Sequence, residues 1–112
     1  MQGSTLEARV TFAVERLLSD SAEVRRAVVR DMARAWPDAP ALALVLALTD
    51  AAARIESVFR QVQNGEIGAQ LGYRHAALVA CDVLVLQCNG PGTVLAKDLL
   101  VHWHAHDDFF LR

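Results

Sequence analysis

The stretch ALALVLAL, residues 41–48, carries eight apolar residues in succession and no polar one. It belongs to a longer segment, residues 39–63, with the spacing of a helix. The second half of that segment is amphipathic, and one helical face carries Ile55, Val58, Phe59 and Val62. A helix that is apolar on every side is normally enclosed by other helices. The sequence therefore predicts a buried central helix over residues 39–63.

Helical periodicity continues on both sides of this segment. Two helices precede it, one ending near residue 18 and one beginning after the turn at 19–21 and ending at Pro37. No segment outside a helical pattern keeps the two-residue alternation typical of a strand. The part of the chain before residue 64 therefore contributes three helices and no sheet.

Two further helices are predicted after the central one. Asn64 and Gly65 end the central helix, and the glycines after them leave the segment around Ile67 unassigned. A fourth helix covers residues 71–88, and a fifth begins at Thr93 and continues nearly to the chain's end. The expected fold class is all-α, a single-domain bundle of about five helices over residues 1–112 with a buried third helix.

A weak internal repeat gives an alternative arrangement of the same helices. At a shift of 30 residues, five identities relate residues 18–30 to residues 48–60. The stretch 17–25 resembles the opening of a HEAT repeat, and this resemblance implies a stack of helical units. Such arrays need about three units for stability, and nothing after residue 71 continues the period. The sequence therefore favours the bundle.

The composition predicts self-association. Of the 112 residues 54% are hydrophobic, which exceeds the usual share of about 45–50% and excludes a disordered chain. A domain of this size buries only about 60–70% of the surface of its unfolded chain, so apolar surface remains outside the core. We expect a homodimer whose interface includes the fifth helix, because Trp103, Phe109 and Phe110 crowd that end of the chain.

Charge and cysteine usage predict the surroundings of the protein. The formal net charge of −2 gives no general attraction to nucleic acid or to an anionic membrane. The first residues lack the basic start and apolar stretch of a secretory signal, so a cytoplasmic location is expected. Cys81 and Cys88 are interpreted as small core residues in a reducing compartment, too far apart for a disulfide.

The candidate metal site consists of polar side chains on the last two helices. Helical spacing places them on two apolar stripes, and the residues are His75 and Asp82 on the fourth helix and His102 and His106 on the fifth. Imidazole and carboxylate ligands suit zinc, iron or manganese, and helical bundles hold metals with side chains from facing helices. The alternative is a structural pairing, in which neutral imidazoles form hydrogen bonds with Asp82.

The remaining polar features give little indication of catalysis. Arg26, Arg30 and Arg34 form a stripe that suits phosphate or an acidic partner, but Glu23 and Asp31 offset its charge, which favours a solvated face. No nucleophile motif or phosphate-binding loop is present. The predicted function is a small non-catalytic homodimeric interaction or regulatory module. The alternatives are a divalent-metal protein using the four-residue cluster and, after it, binding of nucleic acid or an acidic partner through the Arg stripe.

Overall fold

The computed structural model describes residues 2–90, 92–106 and 108–112, with the backbone alone for residues 2–4. This part of the chain contains six α-helices, one short 3₁₀ helix and no β-strand. The α-helices are α1 Gln2–Leu17, α2 Ala22–Arg26, α3 Val28–Ala35, α4 Ala41–Val58, α5 Gly65–Cys88 and α6 Ala96–Ala105, and the 3₁₀ helix covers Phe109–Leu111. The predicted all-α bundle is confirmed.

The second predicted helix is divided into α2 and α3. Ser21 caps α2, because its hydroxyl oxygen accepts a hydrogen bond from the Val24 N–H. The helix is interrupted at Ala27 and resumes at Val28. On α3, Val28, Val29 and Met32 are completely buried. The described residues therefore contain six α-helices, one more than the expected five.

The predicted central helix corresponds to α4, which has α1 and α5 packed along it. One face of α4 is buried and carries Ala41, Leu44, Ala47, Leu48, Ala51, Ala52 and Ile55. The helix is not enclosed on every side, however, since Leu42 and Leu46 are 53% and 55% exposed. It also ends at Val58 rather than at residue 63. Its small alanines let α1 and α5 approach closely. The face that carries Leu42 and Leu46 is not covered by these two helices.

The fourth predicted helix corresponds to α5 and begins at Gly65, earlier than the expected residue 71. The glycines of its first turns are sites of close approach rather than breaks. A Cβ atom on Gly68 would lie 2.7 Å from the backbone oxygen of Leu17, and one on Gly72 would lie 2.9 Å from the Cβ of Ala52. Glycine therefore lets α5 contact both α1 and α4, at a cost in helix propensity of about 1 kcal/mol each.

The fifth predicted helix corresponds to α6, which begins at Ala96 rather than Thr93 and ends at Ala105. Its start is attached to the start of α4. The Ala41 N–H donates to the Val94 oxygen at 2.8 Å, and the Ala96 N–H donates to the Ala39 oxygen at 2.8 Å. These bonds direct α6 onto α3. The short connection between the last two helices favours an antiparallel side-by-side pair, but α6 packs on α3 instead of along α5.

Candidate functional site

Asp82 connects α5 to α6. The Trp103 indole Nε1–H donates a hydrogen bond to Asp82 Oδ2 at 2.9 Å, and the Trp103 ring is buried. An indole N–H needs an acceptor when it is buried, and a carboxylate is a strong one. This contact gives Asp82 a structural role in holding the Trp103 side chain.

His75 lies beneath the end of the chain. It is 3% exposed, and its ring centroid lies 5.3 Å from that of Phe110 and 6.2 Å from that of Phe109. Its Nδ1 is buried and has no hydrogen-bond partner within residues 2–90, 92–106 and 108–112. Burial and, to a smaller extent, the positive charge of Arg74 lower the pKa of His75 to about 4. The imidazole is therefore neutral at neutral pH.

His102 and His106 lie one helical turn apart at the end of α6. Their ring centroids are 5.4 Å apart, and both line a groove of about 350 Å³ that Asp98 and Thr93 also line. Among the described residues, no group of three or more His, Cys, Asp or Glu side chains is close enough to hold a metal ion. The structure therefore does not gather His75 and Asp82 with this pair around one point, and metal binding stays a prediction from the sequence.

The cysteines and the aromatic residues lie in places that the sequence did not predict. Cys81 and Cys88 are exposed, so their interpretation as core residues is wrong. Trp103 and Phe110 are buried in the core, with ring centroids 4.8 Å apart, whereas Phe109 is partly exposed. Trp103 and Phe110 therefore stabilise the fold and are not available for a dimer contact, whereas a homodimer that uses the fifth helix stays a prediction.

The basic stripe is partly neutralised within the chain. Asp31 forms ion pairs with both Arg30 and Arg16, and the Arg30 pair measures 3.2 Å. Arg26 and Arg34 are exposed on either side, on two different helices. Since the interruption at Ala27 separates α2 from α3, the Arg residues do not form the continuous row on one helix that the sequence suggested.

An unpartnered apolar surface of the described chain lies on the second half of α5. We call it the α5 face, and it consists of Ala77, Leu78, Cys81, Leu84, Val85 and Cys88, all of which are exposed. Leu84 is 61% exposed, and Val85 is 47% exposed. Asp82, the one charged residue between positions 75 and 88, is half-buried against Trp103. The α5 face therefore carries no charge.

A recess lies along one edge of the α5 face. It has a volume of about 260 Å³ and is lined by Leu78, Cys81, Asp82, Phe109, Phe110 and Arg112. Phe109 is 45% exposed at its rim and extends the apolar surface beyond the helix. Most of the lining is apolar, with one acidic and one basic side chain, so the recess suits a small aliphatic group.

The sequence indicated surplus apolar surface but not its location. Helix α5 is apolar on two sides, and the side that packs on α4 carries Ala69, Ala76, Val79 and Val83. The exposed side has the same residue types at the same helical spacing. Helical periodicity alone therefore cannot tell which side is buried. The available signal was the set of small residues at positions 65, 68, 69, 72 and 76, because small residues permit close approach to another helix.

By length and composition, α5 is also the one helix of the described chain that is apolar enough to cross a membrane, and 28% of its most apolar part is buried. Comparisons with protein-family models, with curated proteins and with solved structures found no match for this chain.

Proposed function

We propose that this protein is a small non-catalytic module that works as a homodimer, joined through the α5 face. The observation that supports this proposal is the set of six adjacent, exposed and uncharged side chains on a helix whose opposite side is already packed in the core. Contiguous apolar surface of this kind marks an interaction site in a folded protein.

A second copy of the chain is the partner that fits the chemistry of this surface. The six side chains of the α5 face are uncharged, so two copies meet there without electrostatic repulsion, and the charged side chains Asp82 and Arg112 lie only at the recess along its edge. With Phe109 included, burial on both copies removes on the order of 1,000 Å² from water, which is the lower end for a specific interface. The α5 face with Phe109 is therefore just large enough for a specific dimer interface.

The experiment is the measurement of mass in solution by light scattering, from low to high micromolar protein. Leu84→Glu places a carboxylate in the α5 face, and Leu46→Glu is the matched control, because Leu46 is 55% exposed on α4, outside that face. We expect a dimer for the wild type and for Leu46→Glu, and a monomer for Leu84→Glu. A wild-type monomer at high micromolar concentration, or equal dissociation of both variants, would refute the proposal.

A second candidate function is divalent-metal binding at the groove of α6, and one observation favours it. The rings of His102 and His106 lie one turn apart with a centroid distance of 5.4 Å, and imidazole is a common ligand of zinc, copper and nickel. Metal analysis of untagged protein, with His106→Gln as the variant and the exposed His104→Gln as the control, tests it. Stoichiometric metal in the wild type and in His104→Gln, with none in His106→Gln, supports this function. Metal-free wild-type protein contradicts it.

A further inference from the structure

We infer that the two copies of the proposed dimer pair antiparallel along α5, with the two-fold axis close to Cys81, so that Val85 of each copy enters the recess of the other. This inference rests on the proposed function, and it adds the orientation and register of the interface. It follows from where the recess and the protruding side chains lie on the helix.

The positions around the helix are fixed by the rotation of about 100° per residue. Cys81 lies on the midline of the exposed side, directly opposite the buried residues. Leu78 and Val85 lie on the flank that faces the recess, and Ala77 and Leu84 lie on the other flank. Each flank therefore carries one protruding side chain, Val85 or Leu84, and an indentation earlier along the helix.

A two-fold axis that relates antiparallel helices brings each flank against the same flank of the other copy, at opposite heights. The protruding Val85 of one copy then faces the recess between Leu78 and Phe109 of the other. This requires the axis to lie halfway along the helix between Val85 and the recess, at about residues 81–83. With the same axis, Leu84 faces the small side chains of Ala77 and Ala80. Large side chains thus meet indentations on both flanks, as in interdigitating helix packing.

The alternative parallel pair is less complementary. A two-fold axis parallel to α5 brings opposite flanks together at equal heights, so Val85 meets Leu84 and the recess faces Ala77 and Ala80. The alanine side chains are too short to fill a recess of about 260 Å³. The parallel pair therefore leaves a void that the antiparallel pair closes, and dense packing disfavours such voids.

The two cysteines report on this register. With the axis at residues 81–83, the two copies of Cys81 are offset along the helices by at most about 6 Å, and a smaller offset brings them within disulfide range. The two copies of Cys88 are offset by about 15–21 Å, which is too far. Antiparallel pairing thus predicts crosslinking through Cys81 alone, whereas parallel pairing brings both cysteines opposite their own copies.

The experiment uses the single-cysteine variants Cys88→Ser, which keeps Cys81, and Cys81→Ser, which keeps Cys88. Diamide is the oxidant, and it takes up two electrons and two protons as two thiols become one disulfide. Covalent dimer is measured on non-reducing gels at a protein concentration where light scattering shows dimer. We expect at least tenfold faster crosslinking through Cys81 than through Cys88. The double variant with Cys88→Ser and Leu84→Glu should not crosslink. That result would exclude crosslinking by random collision.

Each other outcome overturns the inference in a distinguishable way. Crosslinking through both cysteines in a dimeric protein indicates the parallel pair, and crosslinking through neither places the axis elsewhere; the proposed dimer survives both results. A wild-type monomer by light scattering refutes the dimer and its register together. If that monomer sediments with vesicles of zwitterionic lipid and Leu84→Glu does not, the α5 face contacts a membrane instead.

Discussion

Replacing His75 should remove a large part of the acid sensitivity of this fold. The imidazole is 3% exposed and packs against Phe109 and Phe110. Its pKa is about 4 in the folded chain, against 6.5 for an exposed histidine. As the pH falls below 6.5, the unfolded chain therefore takes up a proton that the folded chain does not bind until about pH 4. The stability associated with neutral His75 is complete above pH 6.5 and is lost between pH 6.5 and 4.

The size of this effect follows from the two pKa values. One pKa unit corresponds to about 1.4 kcal/mol, so the change from 6.5 to about 4 gives a loss of about 3 kcal/mol. Most small domains have a total unfolding free energy of about 5–15 kcal/mol. The loss from this one side chain is thus large enough to measure.

The assay is urea unfolding of the wild type and of His75→Phe between pH 7 and pH 4, at one protein concentration. Phenylalanine keeps a planar ring against Phe109 and Phe110 and does not titrate. The variant should lose about 3 kcal/mol less stability over this range than the wild type. The hydrogen bond and the charge of Arg54 lower the pKa of Glu7. Glu7 contributes equally to the pH dependence of both proteins, so its contribution cancels in the comparison.

The control is His104→Phe, which makes the same change at an exposed position of α6. An exposed side chain is solvated in both the folded and the unfolded chain, so this variant should follow the pH dependence of the wild type. If His75→Phe and the wild type lose stability in parallel from pH 7 to pH 4, the argument that a neutral imidazole is buried beneath the two phenylalanines fails.

Two further variants test the packing of the bundle by thermal and urea unfolding. Leu44→Ala opens a cavity at a completely buried position of α4 and should cost about 2–5 kcal/mol, whereas Leu46→Ala on the exposed side should cost far less. Similar losses in both would show that the burial of α4 is misassigned. Gly68→Ala should destabilise by about 1–3 kcal/mol although it favours the helix, because the new Cβ meets the backbone oxygen of Leu17 at 2.7 Å. Gly90→Ala, with open space around it, should be nearly neutral, and a stabilised Gly68→Ala would contradict the close approach of α5 and α1.

Local sequence patterns were sufficient to predict the helical class, the approximate segments and the position of the central helix. The apolar stretch at 41–48 requires packing partners, and Leu44 and Leu48 are completely buried as expected. These features are local, since a period of 3.6 residues and the residues that end helices act within a few turns. The surplus of apolar residues likewise indicated surface outside the core, without its location.

Which sides of the helices are buried, and how the last helix docks, depends on long-range packing. Both sides of α5 are apolar, and the choice between them depends on where small residues such as Gly68 and Gly72 let other helices approach. The start of α6 is held to the start of α4 by backbone hydrogen bonds between segments more than fifty residues apart. Those long-range contacts, which no local pattern encodes, bury Trp103 and leave Cys81 exposed.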